Sequence, residues 1–93
     1  MSHIELKLAE NSNLEDTRKM KFSTLDTLEH ILSTMRAEFN IPAESDVRLW
    51  KSSSNTFEHL SYLYLRKVGL FHGQLLIIEE KNLDGTWPRE TGR

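Results

Sequence analysis

Leu70 to Arg93 reads LFHGQLLIIEEKNLDGTWPRETGR, and this stretch decides the fold. Gly73 turns the chain into a strand predicted over Gln74–Glu79 that is apolar on both faces. A strand of that kind is central in its sheet, or has one face covered by a partner. Alternation is expected to send Leu75 and Ile77 to the core and Leu76 and Ile78 to the outer face. From Lys81 the chain reads as a polar, linker-like tail with one exception. Trp87, beside Pro88, is large, apolar and outside the predicted core, so it should find a partner or fold back.

Upstream, Ile4, Leu6 and Leu8 alternate with Glu5 and Lys7, the period of a half-buried strand. Met20 and Phe22 face inward from a second strand that carries Arg18, Lys19 and Lys21. A polar connection from Glu10 to Asp16, with turn chemistry at Asn11-Ser12-Asn13, makes the pair a hairpin with a long loop. Asp26 is expected to open a helix, with Glu29 three residues on as in a capping box. Leu28, Ile31, Leu32, Met35 and Phe39 then form one continuous stripe at helical spacing. Burying such side chains is worth roughly 1.5–3 kcal/mol each before entropy is counted, so this helix is the centre of the core. Pro42 is expected to stop it, because the residue before a proline leaves the α region.

Val47 to Trp50 reads as a third strand with Val47 and Leu49 on the core side. Trp50 must then face outward, beside Arg48. Lys51 to Asn55 is a serine-rich turn, and Thr56 to Leu60 a short edge strand anchored by Phe57. Tyr62 to Leu70 reads as irregular, with Leu65, Val68 and Leu70 as apolar plugs. The order is strand, strand, helix, strand, short strand, strand. One helix on one face of a mixed sheet is an α+β, two-layer design.

Composition narrows the function. Ninety-three residues make one small domain. A 38% hydrophobic and 28% charged chain is ordinary for a soluble globular protein. With 12 basic against 14 acidic residues, the basic excess of a nucleic-acid binder is missing. No apolar run approaches the roughly 20 residues of a membrane span, and no signal-peptide pattern occurs. Zero cysteines exclude a disulfide scaffold, a thiol nucleophile and cysteine-based zinc sites, and fit a reducing compartment. His3, His30, His59 and His72 lack ligand spacing, so no metal is expected. Gly69, Gly73, Gly85 and Gly92 make no phosphate cradle, so no cofactor is expected either. Asp26 and Glu29 read as capping residues, and no catalytic constellation emerges. Ser52, Ser53 and Ser54 read as loop. The polar ends point to a piece of something larger.

The order of elements, with the Ile41-Pro42 helix exit and the Arg48-Leu49-Trp50 strand, resembles the β-grasp fold of ubiquitin over roughly Ile4 to Lys81. The resemblance implies a mixed four- to five-stranded sheet packed on one helix. A sharper match lies in Ser54-Asn55-Thr56-Phe57-Glu58, in Gly69-Leu70-Phe71-His72-Gly73-Gln74 and in Asn82 to Arg89. These resemble the ubiquitin-like domain of ubiquitin-specific proteases that pair an N-terminal DUSP domain with such a module. In that family a GQ-x-L-x-IE strand runs into an N-x-DG-(T/S)-WP segment, here Gly73 to Glu79 and Asn82 to Pro88. The chain departs from the family at Arg66-Lys67, where an acidic residue is usual.

What the resemblance implies is a non-catalytic ubiquitin-like domain at residues 1–80 and a linker or tail at 81–93. The family's catalytic Cys and His belong to a separate thiol protease domain. The expected role is in protein deubiquitination: positioning the DUSP and catalytic domains, recruiting adaptor or substrate proteins, or modulating the catalytic domain. Ubiquitin itself is a candidate partner; nucleic acid and membrane are not. The expected location is cytoplasm, nucleus or both. Ubiquitin uses its outer sheet face for recognition, so Arg48, Trp50, Leu76 and Ile78 form the candidate interaction face. Exposed aliphatic and aromatic groups rimmed by charge suit a hot spot. Trp87 and Pro88 form a candidate docking tail. Two rivals follow. A conjugatable modifier needs a Gly-Gly end, and Gly85 and Gly92 stand alone. A Ras-association-type module would bind a small GTPase through Arg18, Lys19 and Lys21.

Overall fold

The apolar alternation at the start of the chain becomes the first strand of a mixed sheet in the computed structural model, which describes residues 3–60 and 70–89. Among these residues the order is β1 (His3–Glu10), β2 (Asn13–Ser23), α1 (Leu28–Glu38), β3 (Val47–Ser53), β4 (Thr56–Leu60) and β5 (Leu75–Glu80). The sheet runs β2-β1-β5-β3-β4. Its one parallel ladder joins the outermost strands in sequence, β1 and β5, with Leu8 opposite Leu76. Among the described residues the expected α+β design, a mixed sheet of four to five strands on one helix, is what forms, with five strands. The plugs expected at Leu65 and Val68, and the Arg66-Lys67 departure, lie outside the described residues.

The core lies between α1 and the sheet. Leu28, Ile31, Met35 and Phe39 pack with Ile4, Leu6, Leu8, Phe22, Leu49, Leu76 and Ile78, and Leu32 and Leu70 close its margin. Leu76 and Ile78 therefore face the helix, which corrects the outward placement expected for them. The physical reason is that Leu75 to Ile78 carries no alternation of its own. Parity comes from neighbours: Leu8 is core, and its partner across the parallel ladder must share its side. Leu75, Ile77 and Glu79 thus take the outer face with Trp50, whose partner across the β3–β5 ladder is Ile77.

Local chemistry differs from expectation at four points, one being that Lys51, Ser52 and Ser53, expected as a turn, continue β3. The first hairpin has a tight turn at Asn11-Ser12, because β2 already begins at Asn13. The polar residues expected as loop instead extend the strand, and a register shift between Leu8 and Glu10 absorbs them. At the helix start the cap is Thr27, whose hydroxyl accepts from His30 N at 3.1 Å. Asp26 turns backward and accepts from Ser23 N at 2.9 Å. The helix ends before Pro42 is reached: Asn40 takes φ 56°. Asn40 N then donates to Ala37 O, and Ile41 N to Arg36 O at 2.9 Å, a Schellman closure.

The Gly73-Gln74 pair sets the start of β5. Gly73 has φ 86°, a conformation glycine adopts without strain. Its N–H reaches Glu5 O at 2.7 Å, and Lys7 N returns to Gln74 O at 2.9 Å, locking β5 beside β1. Gln74 Oε1 accepts from Phe71 N at 3.1 Å, closing the turn that precedes the strand.

Candidate functional site

The outer sheet face is built by β3, β4 and β5 and then closed by the tail. Arg48 and Trp50 share one side of β3, facing Glu79 and Ile77 of β5. Phe57 and His59 approach from β4, with His59 paired to Trp50 and the two rings 5.2 Å apart. Glu79 is a fully buried carboxylate, and three donors fill it. Arg48 Nε lies 2.5 Å from its Oε1 and Trp50 Nε1 2.8 Å from the same atom. The third donor, to Oε2, is the main-chain N–H of Arg89. A buried carboxylate is costly without such partners.

Arg89 reaches that position because the segment after β5 doubles back. Lys81 N donates to Asp46 O at 2.9 Å, holding the exit of β5 against the approach to β3. Asn82 to Thr86 then closes a turn: Asn82 N donates to Thr86 O at 2.9 Å, and Gly85, at φ 89°, donates to Asn82 O at 3.0 Å. Asp84 Oδ1 accepts from the Thr86 hydroxyl at 2.6 Å and from its amide at 2.9 Å. These bonds, the hydroxyl first, hold the Asp84 carboxyl below its ordinary range. Asn82 Nδ2 completes the turn by donating to Thr86 Oγ1 at 3.0 Å. Every polar residue of the Asn82-Leu83-Asp84-Gly85-Thr86 run has a turn to close, which gives this shared motif a structural reason.

Trp87 to Arg89 then lies as a strap over the outer face. The Trp87 ring takes the Arg48 guanidinium at 4.4 Å and the Lys81 ammonium at 5.6 Å. Arg48 also donates to Arg89 O, and its guanidinium is 5.1 Å from the Trp50 ring. The Arg89 guanidinium sits 4.1 Å from the Phe57 ring centre and 5.6 Å from that of Trp50, and Arg89 Nε donates to Asn11 Oδ1 at 3.0 Å. Trp50 is consequently only 4% exposed. Pro88 is exposed and, with Leu83, Ile41 and Ile78, lines a groove of about 400 Å³ beside the strap.

The expected interaction face is thus redistributed. Arg48 and Trp50 lie on the outer face, together with Trp87; Leu76 and Ile78 do not. Glu79, Phe57 and Arg89, which complete the arrangement, were missed from the sequence. The even spacing of Arg48, Trp50 and the opposite sign of Glu79 on a neighbouring strand was the signal available for them. Chemically the arrangement is closed on itself: its paired charge, aromatic faces and buried acceptor are engaged by the chain's own residues. Among the described residues no cluster of three or more His, Asp or Glu side chains could hold a metal ion. No helix among them is long and apolar enough to cross a membrane.

The basic residues of β2 separate. Arg18 pairs with core-facing Leu8, whereas Lys19 and Lys21 pair with Lys7 and Glu5. Arg18 donates to Glu38 O at 2.8 Å and to Asp16 Oδ2 at 3.1 Å, and its guanidinium covers the Phe39 ring at 4.6 Å. The bonds to Asp16 and then Glu38 raise its already high pKa. Its charge is therefore occupied within the chain.

Among the described residues, one helix grasped by a mixed sheet with β1 and β5 parallel at its centre defines a ubiquitin-like β-grasp domain. The chain belongs to the ubiquitin-like domain family, whose model matches residues 5–89, strap included. It is 50% identical over 91 residues to ubiquitin carboxyl-terminal hydrolase 4 of Rattus norvegicus, a match covering 95% of this chain and 10% of that protein. It is 48% identical over 88 residues to ubiquitin carboxyl-terminal hydrolase 15 of Homo sapiens, covering 91% and 9%. The chain therefore spans about a tenth of the length of these curated relatives. Among solved structures, the C-terminal ubiquitin-like domain of mouse tubulin-specific chaperone e superposes with a TM-score of 0.69 at 12% identity, covering 99% of this chain and 93% of that one. A ubiquitin-like domain from tubulin-binding cofactor B gives 0.62 at 12% identity, covering 83% and 88%. At such identities these likenesses show the fold alone.

Proposed function

We propose that this chain is the non-catalytic ubiquitin-like module of a ubiquitin-specific thiol protease. In that setting it acts in protein deubiquitination by positioning the neighbouring DUSP and catalytic domains. The observation that carries the reading is the 50% identity over 91 residues to a ubiquitin carboxyl-terminal hydrolase. The chain has no cysteine, so the thiolate of such an enzyme must come from another part of the parent. The sealed outer face supports positioning over direct ubiquitin mimicry, because Trp50 and Ile77 are withheld from solvent. Adaptor or substrate proteins, and ubiquitin itself, remain the partners to be screened beside those domains. The proposed setting is the cytoplasm, the nucleus or both.

The test is an NMR titration of the labelled chain with the catalytic half of the parent enzyme. Saturable amide shifts clustered on the solvent side of the strap and its turn, at Leu83, Thr86 and Trp87, are expected. Flat spectra at high concentration, with deubiquitination unchanged when the module is deleted from the parent, would overturn the reading.

A further inference from the structure

Arg89 is held at more of its atoms than an ordinary linker residue needs. Its N–H goes to Glu79, its C=O accepts from Arg48, its Nε goes to Asn11, and its guanidinium lies on Phe57. One ion pair, Arg48–Glu79, thus reads both main-chain groups of a single residue. Peptide-binding sites use that arrangement: main-chain bonds supply affinity, and pockets for side chains supply choice. Contacts to the flanking side chains are present here as well. Arg48 and Lys81 bracket an aromatic ring in the first position, and Phe57 and Trp50 present aromatic faces to a guanidinium in the third.

A second observation points the same way. Glu79 is 0% exposed in a central strand, on the face away from the main core. An apolar residue there would cover Trp50 without the cost of burying charge. A carboxylate is required only if something must donate to it, and one of its three donors comes from the strap.

We propose that Arg48, Trp50, Phe57 and Glu79 form a receptor for an aromatic–proline–arginine segment, bent at its last two residues as Pro88 and Arg89 are. Trp87-Pro88-Arg89 occupies it in cis, and a peptide of the same chemistry from another protein replaces the strap. The inference concerns this chain alone and stands apart from the nature of its parent. The strap leaves β5 through only a few residues, so its effective concentration is on the order of millimolar. A competing peptide therefore pays a reduction in apparent affinity set by the fraction of open receptor.

The experiment is a titration of the labelled full chain with a capped synthetic peptide copying residues 86–93. It compares the unmodified chain with Trp87→Ala/Arg89→Ala. The double variant is expected to bind, moving the Trp50 indole N–H and the Arg48 and Phe57 amides. The unmodified chain should bind at least roughly tenfold more weakly, the cis competitor being intact. A scrambled peptide should bind neither chain. Equal affinity for both chains, no saturable shift in the folded double variant, or equal binding of the scrambled peptide would each overturn the proposal. Should the double variant not fold, the unmodified chain is labelled at its indoles and carried to excess peptide. Strap exchange must then move the Trp87 indole signal away from its docked position and toward that of the free peptide; an unmoved signal overturns the proposal.

Discussion

Trp50 Nε1 donates to Glu79 Oε1 at 2.8 Å across the β3–β5 ladder, and both side chains are sealed from solvent. The bond joins an indole and a carboxylate on the sheet face opposite the helix, so the domain has a second buried layer beneath its strap. Losing the donor while keeping the ring leaves one acceptor site of a buried carboxylate unfilled. Trp50→Phe is therefore expected to cost about 1–3 kcal/mol. Trp50→Ala, which also opens a cavity, should cost about 3–5 kcal/mol. Urea unfolding of both variants checks this, and equal midpoints with the unmodified chain would show that the layer contributes nothing.

The facing of β5 has an equally direct test. Leu76 is fully buried against the helix, while Leu75 is only partly covered on the other side. Leu76→Ala should cost about 2–5 kcal/mol, and Leu75→Ala markedly less. A reversed order of unfolding midpoints would reinstate the opposite parity.

The same strand shows how far sequence alone could go. The order of elements and the stripe from Leu28 to Phe39 were legible, because a helical period repeated over three turns admits no second reading. The parity of β5 was not. Leu75 to Ile78 is apolar throughout, and Glu79 and Glu80 are consecutive, so each parity sends one acid inward. Only the pairing of Leu8 with Leu76, a contact between residues far apart in the chain, decides it. Trp50 was placed on the outer face from alternation with Leu49, yet its burial depends on a strap that arrives from 37 residues later, at Trp87 (87 less 50). Glu79 and Arg89 could not be joined by any local rule, since one reads as a strand end and the other as tail.

Asn40 carries the left-handed turn that ends the helix, at φ 56°. Asparagine tolerates this conformation and a β-branched residue does not. Asn40→Val is expected to destabilise the domain by about 1–2 kcal/mol, while Asn40→Gly should be close to neutral. In thermal unfolding the valine variant should melt about 4–16 °C lower, at roughly 4–8 °C per kcal/mol for a domain of this size. A glycine variant that melts as low as the valine one would move the cause from backbone strain to the asparagine side chain.

Asp84 makes the turn before the strap sensitive to acid. Its carboxylate accepts from the Thr86 hydroxyl and from the Thr86 amide, and these bonds favour the ionised form, lowering its pKa from the usual 3.8. A depressed folded-state pKa means that the contribution to the turn is complete above about pH 3.8, the unfolded value, and is lost as pH falls through the folded one. The Thr86 amide should therefore hold its shift and its exchange protection through the neutral range and lose both only below that value. Asp84→Asn keeps an acceptor oxygen but removes the titration, so its Thr86 signal should stay flat across the same acid window. Because the turn delivers Trp87 to Arg48, the Trp87 indole resonance should follow the Thr86 amide in the unmodified chain and ignore acid in the variant. A Trp87 signal that titrates identically in both chains would place the acid-sensitive group elsewhere and uncouple the turn from the strap.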